Sequence, residues 1–222
     1  MSSGKPDSGL GRTNEMKKVA IIIAMLCFFS SRMMAQEETL VGGGDIEHGG
    51  FGAPVVKYSQ IIGEPSLLVG GRGGWIINHT FVIGGGGYGL VNNIRSTEPG
   101  SFIFPYGDTF LNFGYGGLEL EYIGQSGKLI HYSVLILLGG GSVSYKNMGW
   151  GDDLFGGDDL DAPAEVFFVL EPGVNVELNV TTFFRINGGI SYRFISGAAF
   201  DTYNNSDLAG LSAVLTFKFG SF

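Results

Sequence analysis

The sequence predicts an all-β fold, an eight-stranded antiparallel up-and-down transmembrane β-barrel, and three observations predict it. Eight segments alternate in polarity with period two, the connections between them are mostly short at one end and long at the other, and each strand keeps one face free of charge. Closure of such a sheet leaves no exposed edge.

The segments ahead of the barrel argue for export. Residues 1–15 are polar and rich in Gly and Ser and read as a non-native or misassigned extension, because Met16-Lys17-Lys18 is the natural start of an export signal. Residues 16–35 read as a signal peptide, with a basic start, an apolar run from Val19 to Phe29 and a small-residue exit at Ala35-Gln36. That run is too short for the ~20 residues a spanning helix needs. The single cysteine, Cys27, lies inside it behind Met25-Leu26, where lipid attachment would require a small residue. Cleavage after Ala35 leaves neither a disulfide nor a thiol nucleophile. Residues 36–50 read as a periplasmic lead-in and 51–222 as the barrel, which places the chain in the outer membrane of a Gram-negative cell envelope.

Composition excludes one class of partner. Thirteen basic and 21 acidic residues, less the five and two in residues 1–35, leave 8 minus 19, a net charge of −11. Nucleic-acid binding needs clustered cations, so no nucleic-acid partner is expected. Glycine, at 39 residues, far exceeds the ~7% average without a collagen period, and reads as backbone freedom in strands and turns.

The eight strands run over about Gly52–Ile62, Ser66–Ile77, Thr80–Val91, Thr109–Ile123, Lys128–Tyr145, Glu165–Val180, Thr182–Ile195 and Leu208–Phe219, with no convincing amphipathic helix. Tight hairpins are expected at Asn78-His79, at Gly124 to Gly127 and near Val180-Thr181. The connections 92–108, 146–164 and 196–207 are long and polar; Gly63-Glu64-Pro65 is short and breaks the pattern. Glycines on the second and third strands suit the sharp coiling of a small barrel; without a following Gly-Lys-Ser/Thr they are no phosphate loop.

Strand faces follow from the charges. Lys57, Arg72, Glu119, Glu121, His131, Glu165, Glu171, Glu177, Arg185, Arg193 and Lys218 share the face opposite the uncharged side chains and are expected to form a polar network in the lumen. A hairpin centred at Thr181 sets Glu177 opposite Arg185 and Glu171 opposite Ser191; the preceding hairpin brings Glu121 near His131. Alternation alone also fits a soluble exported barrel that binds an apolar ligand inside. Aromatic banding favours a membrane: Trp75, Tyr122, Tyr132 and Phe184 lie beside the tight turns, and Tyr58, Tyr88, Phe110, Tyr192 and Phe194 toward the other ends. Eight strands are just wide enough for side chains to fill the interior, so no open pore is expected.

With the export signal ending at Ala35-Gln36, the segment GGRGGWIINHTFVIGGGGYG from Gly70 to Gly89 and the terminal LTFKFGSF, the chain resembles the small OmpA/OmpX-type outer-membrane β-barrels, and more closely the glycine-rich barrels of Bacteroidetes-like bacteria. The resemblance implies the same barrel, inserted by the barrel-assembly machinery into outer-membrane lipid. In such families the last strand ends on an in-phase Phe; here Phe217 and Phe219 alternate and Phe222 does not.

No catalytic residue and no cofactor are expected. His131-Tyr132-Ser133 looks like the His-x-Ser of lipid A deacylases, but Val134-Leu135-Ile136 comes next where those enzymes continue Asn-Ala-Gly, so a lipid-modifying enzyme is the weaker alternative. Asp152, Asp153, Asp158, Asp159 and Asp161 are weak calcium candidates without the regular loop spacing. Asp45, Glu47 and His48 could make a small metal cluster, though a polar lead-in explains them as well. A structural or loop-mediated surface role remains.

Overall fold

The structure, a computed structural model, describes residues 46–94, 109–147, 164–198 and 204–222. Period-two alternation gives β1 (His48–Ile61), β2 (Glu64–Ile77), β3 (Phe81–Leu90), β4 (Thr109–Gly124), β5 (Ile130–Asn147), β6 (Glu165–Asn179), β7 (Phe184–Ser196) and β8 (Gly210–Ser221). Each strand pairs antiparallel with the next, and β8 returns to β1 to close the barrel. The expected signal peptide, the first fifteen residues, Asp45 and the five aspartates between 152 and 161 lie outside the described residues.

Strand positions differ from expectation at both chain ends. β1 begins at His48, inside the segment read as lead-in, because residues 48–51 pair with Trp75 and its neighbours on β2. A one-turn helix, α1 (Asn205–Leu208), takes the start expected for the eighth strand. The local cause is Asn204-Asn205-Ser206-Asp207: the Asn204 amide donates to Asp207 Oδ2 at 2.8 Å, half of a capping box, while Leu208 is buried.

The connections define two ends. Both described termini and the turns 78–80, 125–129 and 180–183 share a turn end; Ile62-Gly63 and the connections following Leu90, Asn147 and Ser196 share a loop end. Ile62 (φ 54°) and Gly63 (φ 75°) are both left-handed, as a two-residue type I′ hairpin requires. The conformation is costly for a β-branched residue. It is held in place where the Ile62 amide donates to the Asp207 carbonyl at 2.8 Å.

Inside, the lumen is layered. At the turn end Phe51, Ala53, Ile76, Val82 and Ile123 form an apolar cluster, joined by Phe222. The last phenylalanine is thus out of phase with Phe219 because it turns inward, under the Arg185 guanidinium 4.0 Å above its ring. At the loop end a larger cluster includes Ile61, Leu68, Leu111, Phe113, Phe167, Val169, Ile195 and Leu208. Charged side chains occupy the layer between.

Glycine is required where neighbouring strands approach too closely to admit a Cβ. On β5, a Cβ at Gly139 would overlap the Gly116 carbonyl oxygen of β4, whereas a Cβ at outward-facing Gly87 meets nothing within 4 Å. Gly139→Ala is therefore expected to destabilise by roughly 1–3 kcal/mol, the cost of overpacking, and Gly87→Ala to stay within about ±0.5 kcal/mol. Urea titration of the refolded variants, followed by tryptophan emission, checks both.

Candidate functional site

The outward wall and the charged layer are the two candidate sites, since one meets the surroundings and the other decides what can pass. On the wall, Leu67, Val69, Ile83, Leu118, Leu120, Val134, Leu138, Val174, Val176, Ile190 and Leu215 are all exposed, and Phe168 reaches 77% exposure. A soluble protein rarely exposes a contiguous apolar surface of that extent. The buried charged side chains of β1, β2, β4, β6, β7 and β8 lie on the opposite side.

Of the aromatic positions, Tyr58, Trp75, Tyr122, Tyr132, Tyr192 and Phe194 are exposed on the outward face, with Phe110 and Phe184 half-buried in the same phase. Trp75 stacks on His48, Phe81 packs against Tyr122 and Phe184 stacks on Phe219, thickening the turn-end band. Tyr88 corrects the expectation. It is buried in the lumen, where its hydroxyl donates to Glu119 Oε1 at 2.5 Å and the Lys57 ammonium sits 3.4 Å from its ring centroid. The phase of β3 is set by Val82 inside and Ile83 outside, so Tyr88, six residues after Val82, points inward.

Lys57, Arg72, Glu119, Glu121, His131, Glu171, Glu177, Arg185, Arg193 and Lys218 are all buried. Glu165, half-buried, shares the inward phase of β6 with Glu171 and Glu177. Glu177 is the hub. It accepts from Lys218 Nζ at 2.6 Å, Arg185 Nη1 at 3.0 Å and Asn187 Nδ2 at 3.2 Å, and lies 3.1 Å from His131 Nε2. Lys218 also donates to Glu121 at 3.0 Å, and Arg72 Nη2 reaches Glu121 at 2.8 Å. Arg72 Nε lies 2.7 Å from Glu119 Oε2, a close charge contact without hydrogen-bond alignment.

A second group sits toward the loop end. Lys57 Nζ donates to Glu171 at 2.8 Å and to the Tyr115 hydroxyl at 3.2 Å, and Ser191 Oγ donates to Glu171 at 2.5 Å. Arg193, fully buried, has no described carboxylate partner: its Nε donates to the Leu208 carbonyl at 2.9 Å, and its guanidinium lies 5.0 Å from the Phe113 ring centroid. It thereby ties α1 into the mouth. A cavity of about 10 Å³ lined by Lys57, Arg72, Tyr88 and Glu171 gives room for about one water.

Three expected pairings change. The β6–β7 hairpin is centred one residue later, so Asn179 faces Arg185, Glu177 faces Asn187 and Gly173 faces Ser191. Glu177 and Arg185 still meet diagonally. Glu121 faces Leu135, and its partners are Arg72 and Lys218; His131 turns to Glu177 and to the Lys128 carbonyl, 3.1 Å from Nδ1. Outside the barrel, Glu47 pairs with His79 on the β2–β3 turn. No group of three His, Cys, Asp or Glu able to hold a metal occurs among the described residues.

No protein-family profile matches the sequence, and no curated protein does. Among solved structures, Neisserial surface protein A is 12% identical, with 79% of this chain and 99% of that one covered at a TM-score of 0.51. The chain has the fold of an eight-stranded outer-membrane barrel. The chain is also similar to Ail of Yersinia pestis (12% identity, 78% and 97% covered, TM-score 0.42) and to OprG of Pseudomonas aeruginosa (8% identity, 78% and 93% covered, TM-score 0.41).

Proposed function

We propose that the protein is an integral outer-membrane barrel of a Gram-negative envelope that does not conduct, with a structural role or one carried by its surface loops. The inside-out polarity of the wall carries the reading: aliphatic and aromatic side chains are exposed all round, while the charged groups neutralise one another within. Water would leave that surface unsatisfied; acyl chains would not. The tight turns and the described termini then face the periplasm and the loop end faces outward.

The filled lumen supports the absence of conduction. Apolar clusters lie at both ends of an ion-pair layer, and the cavity between them is of water size. An apolar ligand has no volume to enter there, which weighs against a soluble binding barrel. His131 and Ser133 are buried in the polar layer away from the lipid face, which weighs against a lipid-modifying enzyme. Barrel-assembly machinery and outer-membrane lipid are the partners this reading needs; calcium or a surface partner would act at the long loops.

Carbonate washing of membranes tests insertion: the protein is expected to stay in the pellet and to require detergent. Release into the wash would overturn the reading. Reconstituted into planar bilayers, the protein is expected to give no steady single-channel current, and a sustained conductance would remove the closed-lumen part alone.

A further inference from the structure

We propose that the loop end of the β1–β8 seam binds a saccharide headgroup carried on an apolar chain, that is, an outer-leaflet glycolipid. The ladder across this seam ends early. Pairing between β1 and β8 stops at Tyr58↔Ala213, although β1 runs on to Ile61 and β8 starts at Gly210. Three residues on each side therefore have no partner across the seam, and Ser59 Oγ bridges the gap by donating to the Leu211 carbonyl at 2.9 Å.

A groove of about 470 Å³ opens there, lined by Tyr58, Gln60, Ser206, Asp207, Leu211 and Ala213 among others. That volume lies in the ~300–1,000 Å³ range of small-ligand clefts, and its lining combines an apolar floor with a few polar groups. Leu211 and Ala213 face outward and continue the apolar wall, so an alkyl chain can run down from the groove along the barrel.

The polar groups select the headgroup. Tyr58, 58% exposed, offers a ring to the C–H face of a sugar. The Gln60 amide both donates and accepts, the Ser206 hydroxyl does the same, and Asp207 accepts. Among the described residues the Tyr58 hydroxyl, the Gln60 amide and the Ser206 hydroxyl have no protein partner. A ligand bearing several hydroxyls satisfies this set. The described lining contains no cation, so phosphate is not the group recognised. Tyr58 belongs to the loop-end aromatic belt, which sets the groove at headgroup depth.

The inference rests on the outward placement of the loop end, but its test does not. The full chain in phosphatidylcholine nanodiscs is titrated with dodecyl maltoside, with dodecyl dimethylamine oxide and with free maltose, while methyl resonances of Leu211 and Ala213 are followed. Dodecyl maltoside is expected to shift them, with magnetisation passing from sugar protons to both methyl groups, at an affinity at least about tenfold above that of either other probe. Gln60→Leu combined with Tyr58→Leu, both exposed and outside the lumen network, is expected to abolish that difference while leaving carbonate resistance unchanged. Equal response to the amine oxide, equal response to maltose alone, or an unchanged response in the double variant would overturn the site. Loss of carbonate resistance in the native protein would overturn the membrane reading instead.

Discussion

Glu177→Ala is expected to destabilise the barrel by about 3–5 kcal/mol, the cost of removing one partner from a buried ionic group. Its carboxylate is fully buried and satisfies Lys218, Arg185 and Asn187 at once, with His131 alongside. Truncation leaves two cations in a layer closed by apolar clusters on both sides. Lys218 keeps Glu121; among the described residues Arg185 keeps only the Phe222 ring. Combining Glu177→Ala with Arg185→Met should therefore recover part of the loss. Urea titrations of protein folded into lipid vesicles measure all three variants, and an additive double variant would show that the pair is not coupled.

Leu118→Arg addresses the other face. Leu118 is exposed on the outward side of β4, between Phe110 and Tyr122 of the two aromatic belts. At the bilayer midplane an arginine costs about 2–4 kcal/mol, falling to ~0–1 kcal/mol near an interface. The expected result is a loss in that upper range in vesicles. Tyr58→Arg, at the belt, should cost far less. Were the uncharged face turned to water, neither change would exceed the small effects typical of surface positions, so the contrast between the two depths tests the polarity of the wall directly.

Strand positions and faces were legible because charge and period coincide. On β6 the glutamates recur every sixth residue and on β7 the two arginines lie eight apart, even spacings that keep them on one side and leave one phase available. β3 offers no such mark. Its ten residues, Phe81–Leu90, contain no charge and five glycines, so the phase of Tyr88 depends on Val82 and Ile83, which look alike in sequence. The β6–β7 register was legible only to within a residue, because residues 180–183 contain no glycine or proline to centre the turn. The network's partners were less legible still. Lys57 meets Glu171 from β1 to β6, and Lys218 meets Glu121 from β8 to β4. These contacts cross the lumen, and no local pattern encodes them.

The layering of the lumen was hidden for a related reason. Phe113, Phe167 and Val169 share the inward phase with the charged residues, and their depth along the axis depends on how the strands stagger around the closed wall. α1 is too short to show a helical period; its signal is the Asn204-to-Asp207 spacing alone.

The uneven closure of the ring bears on how the chain is made. β1 and β2 join through fourteen residue pairs and a two-residue link, whereas β1 and β8 join through seven, interrupted beside Pro54, which has no amide hydrogen to give. The longest ladder, sixteen pairs between β4 and β5, joins neighbours in sequence, and the shortest joins the two ends of the barrel. Every junction but this last one joins strands consecutive in the chain, so hairpins can assemble early while the last joint waits for residues 210–221. Until then the growing sheet has two raw margins, each a template for a stray strand from another molecule. A polypeptide halted before Gly210 should accumulate as aggregates rather than as a smaller ring, which makes residues 210–221 a checkpoint on closure.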